Sequence, residues 1–155
     1  MNETARHPDD FVGAFESAFA ELQVRIETAC AAELAWPARV AAGIRAAFAW
    51  AAAEPAAANA LTNDALAGGK AGFARYERMV SYIGGLLAPG RAESPHGDRL
   101  PEITERAMAS GVAMLVAQRL IMGREGELPA LAGEAIQFVL TPYVGTAEAR
   151  RAGAG

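Results

Sequence analysis

The chain has one cysteine, Cys30, and two histidines, His7 and His96, in 155 residues. A single thiol cannot close an internal disulfide, and its setting among alanines on a helix marks it as a core or boundary thiol rather than a reactive one. Neither histidine belongs to a helical ligand pair such as H-E-x-x-H, so the pattern supports no metal site and no catalytic base. There is no G-x-S-x-G elbow. The segment AGGKAGF has the outline of a phosphate loop, but Asp64 stands where its first glycine belongs and Ala71 replaces the Ser or Thr. The chemistry-bearing residues therefore point away from catalysis, and no cofactor is expected.

Basic clusters are missing too. The 14 basic residues, arginine apart from Lys70, are scattered, and the net charge is −4, so there is no electrostatic footprint for nucleic acid. No apolar run approaches the roughly 20 residues that a bilayer span requires, and MNETARHPDD has neither the basic nor the apolar part of a signal peptide. A cytoplasmic protein without a membrane partner is the expectation. Strands are absent as well, because the β-branched stretches Val112 to Val116 and Phe138 to Leu140 both sit inside longer helix-period frames.

What the chain does have is alanine-rich helical pattern, with 52% hydrophobic residues and with Gly and Pro falling mostly between periodic segments. Pro8-Asp9-Asp10 opens a first helix, in which Phe11, Phe15, Phe19, Leu22 and Ile26 stack on one face through about Glu33. Trp36-Pro37 ends it and starts a second helix carrying Val40, Ile44, Phe48 and Ala51. Glu54-Pro55 repeats the device for a short third helix with Leu61 and Leu66, closed at Gly68-Gly69. A fourth runs from Lys70 through Phe73, Tyr76, Val80, Ile83 and Leu87 to Ala88-Pro89-Gly90. The segment Arg91 to Arg99 has no period and reads as a flexible surface loop.

The last two helices are the most distinctive. From Pro101 to Arg124, Ile103, Ala107, Gly111, Met114 and Gln118 share one stripe, and Met108, Val112, Leu115 and Arg119 form a second beside it. From Leu128 to Gly145, Leu131, Ala135, Phe138 and Pro142 adjoin Leu128, Ala132, Ile136, Val139 and Tyr143. One apolar stripe suffices to meet a helix's own core, so a second stripe implies burial against a second copy. The alternative is a monomer in which these helices are simply central.

The order of segments DDFVGAFESAFAEL, AAEPAAANAL, RYERMVSYIGGLLAPGR, ASGVAMLVAQRLIMG and LPALAGEAIQFVLTPYVG resembles the C-terminal effector-binding and dimerisation domain of TetR-type (AcrR-type) transcriptional regulators, over about Asp9 to Arg151. The resemblance implies an all-α fold of about six helices whose last two pair with those of a second subunit in a four-helix bundle. The expected interface is Met108, Val112, Leu115, Arg119, Leu128, Leu131, Ala135, Phe138, Val139 and Pro142. It also implies a pocket for a small hydrophobic or aromatic effector. Candidates for its wall are Phe15, Phe19, Leu22, Phe48, Leu61, Tyr76, Met79, Ile83 and Met114, with Asn63, Tyr76 and Gln118 as polar groups. Asn63 reads equally well as a turn residue, and Gln118 as an intersubunit hydrogen-bonding group.

The expected organisation is a disordered tail over 1–8, one helical domain over 9–146 and a C-terminal tail over 147–155. The family's helix-turn-helix has no counterpart here, because the eight residues before Asp9 are too few for one. The chain would then be either part of a longer regulator, the only case in which operator DNA is a partner, or a domain that works without DNA, for instance by forming heterodimers. A non-enzymatic interaction protein that keeps the dimer helices and has lost the pocket is the competing reading.

Overall fold

A computed structural model describes residues 8–155, and among these no strand occurs. The helices are α1 (Pro8–Ala31), α2 (Trp36–Ala53), α3 (Pro55–Leu61), α4 (Asn63–Ala67), α5 (Gly69–Leu87), α6 (Gly90–Glu93), α7 (Thr104–Ile121), α8 (Leu128–Val144) and α9 (Thr146–Ala154). The expected tail over 1–8 lies outside the described residues, apart from Pro8 at the start of α1. Proline marks the first turns of α2, α3 and α8, where its fixed φ suits the helix and its missing N–H leaves no bond unmade. The expected third helix is two, α3 and α4. It breaks at Thr62, whose hydroxyl donates back to the Ala58 carbonyl at 2.9 Å while its backbone leaves the helical region.

Two apolar clusters hold these elements together. The larger joins Phe15, Phe19 and Leu22 of α1 to Phe48 and Trp50 of α2, Leu61 of α3, Tyr76, Met79 and Val80 of α5, Ala109 and Ala113 of α7, and Leu128, Ala132 and Ala135 of α8. The smaller packs Trp36 and Val40 of α2 and Leu87 of α5 against Ile136, Val139, Leu140 and Tyr143 of α8. Helix α2 thus lies between α1 and α8, and most of its circumference is covered.

Two segments correct the sequence reading. Residues 147–155, expected as a tail, belong almost wholly to α9, which folds back on α8 with Ala149 fully buried. Gly133 and Gly153 let the two helices touch backbone to backbone, since a Cβ at Gly133 would lie 2.7 Å from the Gly153 carbonyl oxygen. Arg45 Nη2 donates to the carbonyl of Ala152 at 2.9 Å, which ties the end of α9 to α2. The segment after α5, expected as a flexible loop, is a helical turn followed by a 3-10 turn over Gly97–Arg99. Its organiser is Arg91, whose guanidinium donates twice to Glu105, at 2.9 Å each, and to the carbonyls of Gly97, Leu100 and Pro101.

Tyr143 completes this network by donating its hydroxyl to Glu105 Oε1 at 3.1 Å. Burial works to raise the Glu105 pKa, but the Arg91 fork, a backbone N–H and the Tyr143 hydroxyl outweigh it and hold the carboxyl below its ordinary value. A depressed carboxylate contributes stability that is complete above its unfolded pKa and is lost as pH falls through the folded one. Glu105→Gln is therefore expected to lower the urea midpoint clearly at about pH 6, above the ordinary carboxylate range, and by less at a pH low enough for the native carboxylate to take up its proton. An equal loss at both pH values would show that the charge on Glu105 does not matter.

Candidate ligand cavity and uncovered helix face

Helix α7 divides the candidate site into an inside and an outside. On its inner side, Val112, Ala113 and Val116 close an apolar cavity of about 50 Å³ whose other walls come from α1, α2, α3 and α5. Five of the residues expected around an effector meet there, namely Leu22, Phe48, Leu61, Met79 and Ile83. A second apolar cavity of about 70 Å³ shares Ala47, Ile83 and Val112 with the first and extends to Ile26, Val40 and Leu87.

The remaining candidates lie elsewhere. Phe15, Phe19 and Tyr76 are buried in the same core but border neither cavity. Phe15 and Phe19 belong to an aromatic ladder, with ring centroids 5.9 Å apart, that continues edge-on to Tyr82 at 5.6 Å and is covered from outside by Arg78. Asn63 is a structural residue, its amide donating to Asn59 Oδ1 at 2.9 Å and to the Ala117 carbonyl at 3.0 Å, which pins α4 to α7. Met114 and Gln118 are exposed on the opposite side of α7 and cannot reach the cavity.

Sequence reasoning missed Trp50, Thr62, Ala113 and Val116 as cavity residues. Trp50 sits off the Val40, Ile44, Phe48 stripe, and a large aromatic inside an alanine run was the available signal. Its indole Nε1 is closed to solvent and has no hydrogen-bond partner. Cys30 borders the second cavity and donates its thiol to the Arg39 carbonyl at 3.4 Å. Burial pushes its pKa up, Arg39 offsets part of this and Glu27 adds to it, so the thiol stays protonated at neutral pH.

The outer side of α7 reverses part of the interface expectation. Leu128, Ala135 and Val139 are buried in the chain's own core and are not available to a partner. Met108, Val112, Leu115 and Leu131 turn half-buried against the two clusters, Pro142 is half-buried within α8, and Arg119 pairs with Glu127 at 3.5 Å. Of the expected interface only Phe138 is exposed. The stripe left uncovered is the other one on α7, where Met114 is half exposed, and it continues to Ile103 just before the helix and to Ile121 and Met122 at its end, each half or more exposed, as is Phe138 on α8. Ala107 and Gly111 lie between them, and a Cβ at Gly111 would come within 3.5 Å of the Phe138 ring, so the two helices present one surface. Which stripe faces inward could not be read from pattern, because the residues that α7 buries most deeply, Ala109, Ala113 and Ala117, lie on neither stripe.

Among the described residues no group of three His, Cys, Asp or Glu side chains is placed to hold a metal, and no helix is long and apolar enough to cross a membrane. No protein-family model matches the chain, and neither a curated protein nor a solved structure matches it. Fold and site therefore define an all-helical unit with an apolar cavity on one side of α7 and an uncovered apolar face on the other.

Proposed function

We propose that the chain is an effector-binding and dimerisation domain of TetR type, which senses a small hydrophobic molecule and pairs with a second copy through α7 and α8. The observation that carries this reading is the double role of α7, whose Val112 and Val116 border the cavity while Gly111 and Met114 lie on the uncovered face. A ligand that displaces the inner side chains would tilt α7 and so change the geometry of the pair, a population shift driven by differential affinity. A second copy suits the face because small residues at Ala107 and Gly111 permit close helix approach. Gln118, lying within the apolar stripe, can also hydrogen-bond its own equivalent across a twofold axis.

The competing reading, an interaction protein without a working pocket, is favoured by cavity size. Pockets for drug-sized ligands measure roughly 300–1,000 Å³, far above the 50 and 70 Å³ present here. A melting-temperature screen with small apolar compounds separates the two. A ligand at about 100 times its dissociation constant adds about 2.7 kcal/mol, which for a domain of this size is a rise of roughly 5–10 °C. Ala113→Leu, which fills the cavity from α7, is expected to abolish that rise while leaving the dimer intact. Absence of any rise in the unaltered protein across the panel would favour the interaction reading.

A further inference from the structure

Oxidisable sulfur is not spread evenly over the fold. Among the described methionines, Met79 is 2% exposed in the larger cluster and Met108 is half-buried, whereas Met114 and Met122 are each half exposed, and both lie on the uncovered face. Met114 is the middle member of a run, Ala107, Gly111, Met114, Gln118 and Ile121, that recurs at intervals of four, three, four and three residues, the spacing with which two helices meet along a seam. All five are exposed. Met122 follows at the end of α7. The other large apolar side chains of the face, Ile103, Ile121 and Phe138, are inert hydrocarbon, so its reactivity is that of the two thioethers. Cys30 lies away from this face beside the second cavity, and burial keeps its thiol protonated and therefore a poor nucleophile toward peroxide.

We propose that Met114 and Met122 form an oxidation switch, in which a hydroperoxide converts them to sulfoxides and thereby keeps two copies of the chain apart. This rests on the second-copy reading of the face. In the step, a sulfur lone pair takes one oxygen from hydrogen peroxide, the S–O bond forms as the O–O bond breaks, and the other oxygen leaves as water with both protons. Sulfur loses the two electrons that the peroxide gains. Attack falls on the separated chain, where both sulfurs are open, and mass action then drains the pair. The product is a polar, chiral side chain in place of a flexible apolar one, and burying its oxygen in an apolar seam without a donor is unfavourable. Among the five seam residues only Gln118 carries a side-chain donor, and a bond from it to the sulfoxide would withdraw it from its equivalent across the axis. Met79, closed inside the core, is protected, so the fold survives the reaction that breaks the pair.

Light scattering over a dilution series, before and after mild hydrogen peroxide treatment and with the oxidised positions mapped by peptide mass spectrometry, tests the switch. One oxygen is expected on each of Met114 and Met122 and none on Met79. Pairing is expected to weaken about a hundredfold, because each pair would bury two Met114 sulfoxides at about tenfold apiece. Methionine sulfoxide reductases should restore the dimer. Met114→Leu combined with Met122→Leu, a volume-conserving change, should pair normally and be indifferent to peroxide. Should that variant pair poorly, reversal by the reductases in the unaltered protein carries the test. Failure of Met114 to take up oxygen, equal pairing of the oxidised and untreated protein, or the same loss in the leucine variant would overturn the switch and leave the pair standing. A protein that is a single copy before any peroxide is added would overturn both.

Discussion

Val139→Glu is expected to yield no folded protein. Val139 is 1% exposed and packs with Ile136, Leu140 and Tyr143 of α8 against Trp36 and Val40 of α2. A carboxylate placed in this apolar cluster must either be buried charged, at a cost of several kcal/mol, or take up a proton, while the valine's packing is lost in both cases. That is comparable to the whole stability of an ordinary domain, about 5–15 kcal/mol. Met114→Glu on α7 puts the same charge on the uncovered face and is expected to leave the helical circular dichroism spectrum and melting cooperativity of the monomer unchanged. A folded Val139→Glu protein with an exposed glutamate would mean that α8 presents the opposite face to the core.

The second large effect is expected at Gly90, where α6 begins. A Cβ at this position would overlap the indole of Trp36 and come within 2.8 Å of the Tyr143 ring. Those two rings already meet edge-on, with centroids 5.1 Å apart, and Trp36 is held further by its bond to Leu86, so neither can retreat cheaply. Gly90→Val should cost about 3 kcal/mol, the upper end for overpacking, and lower the melting temperature by roughly 6–12 °C. Gly85→Ala on the exposed side of α5, where a Cβ meets nothing, is the control and is expected to be neutral or slightly stabilising. Equal melting temperatures for Gly90→Val and the unaltered protein would contradict the packing of the Trp36–Tyr143 pair.

Gly90 also shows where the sequence stopped being readable. Helices with one clear apolar stripe, such as α1 with Phe15, Phe19, Leu22 and Ile26, were legible because period and punctuation agree. The segment after Gly90 has no period, so its order had no local signature. It is fixed by one arginine reaching Glu105 and three carbonyls, and by an aromatic pair that is tens of residues away in the chain. Helix α9 escaped notice for a related reason. Its sequence, TAEARRAGA, has no apolar residue larger than alanine, and the close approach of Gly133 and Gly153 and the burial of Ala149 hold it to α8.

The cavity was half legible. Leu22, Phe48, Leu61, Met79 and Ile83 lie on stripes that face the centre, so naming the inward faces found them. Trp50 and Val116 could not be found in this way. Helices α2 and α7 are apolar on more than one side, and a stripe argument cannot choose among apolar faces. The same ambiguity put Met114 inside and Val112 outside, each opposite to its place in the fold. For Val139 and Met114, then, burial distinguishes core from face where residue type does not.

The proposal that α7 and α8 pair two copies has the most direct test in light scattering of the purified protein and of Met114→Glu. The account predicts a mass twice the 16.1 kDa of one chain for the unaltered protein. For the variant it predicts 16.1 kDa, with an unchanged circular dichroism spectrum. An unaltered protein that runs as a monomer, or a Met114→Glu protein that remains a dimer, would contradict it.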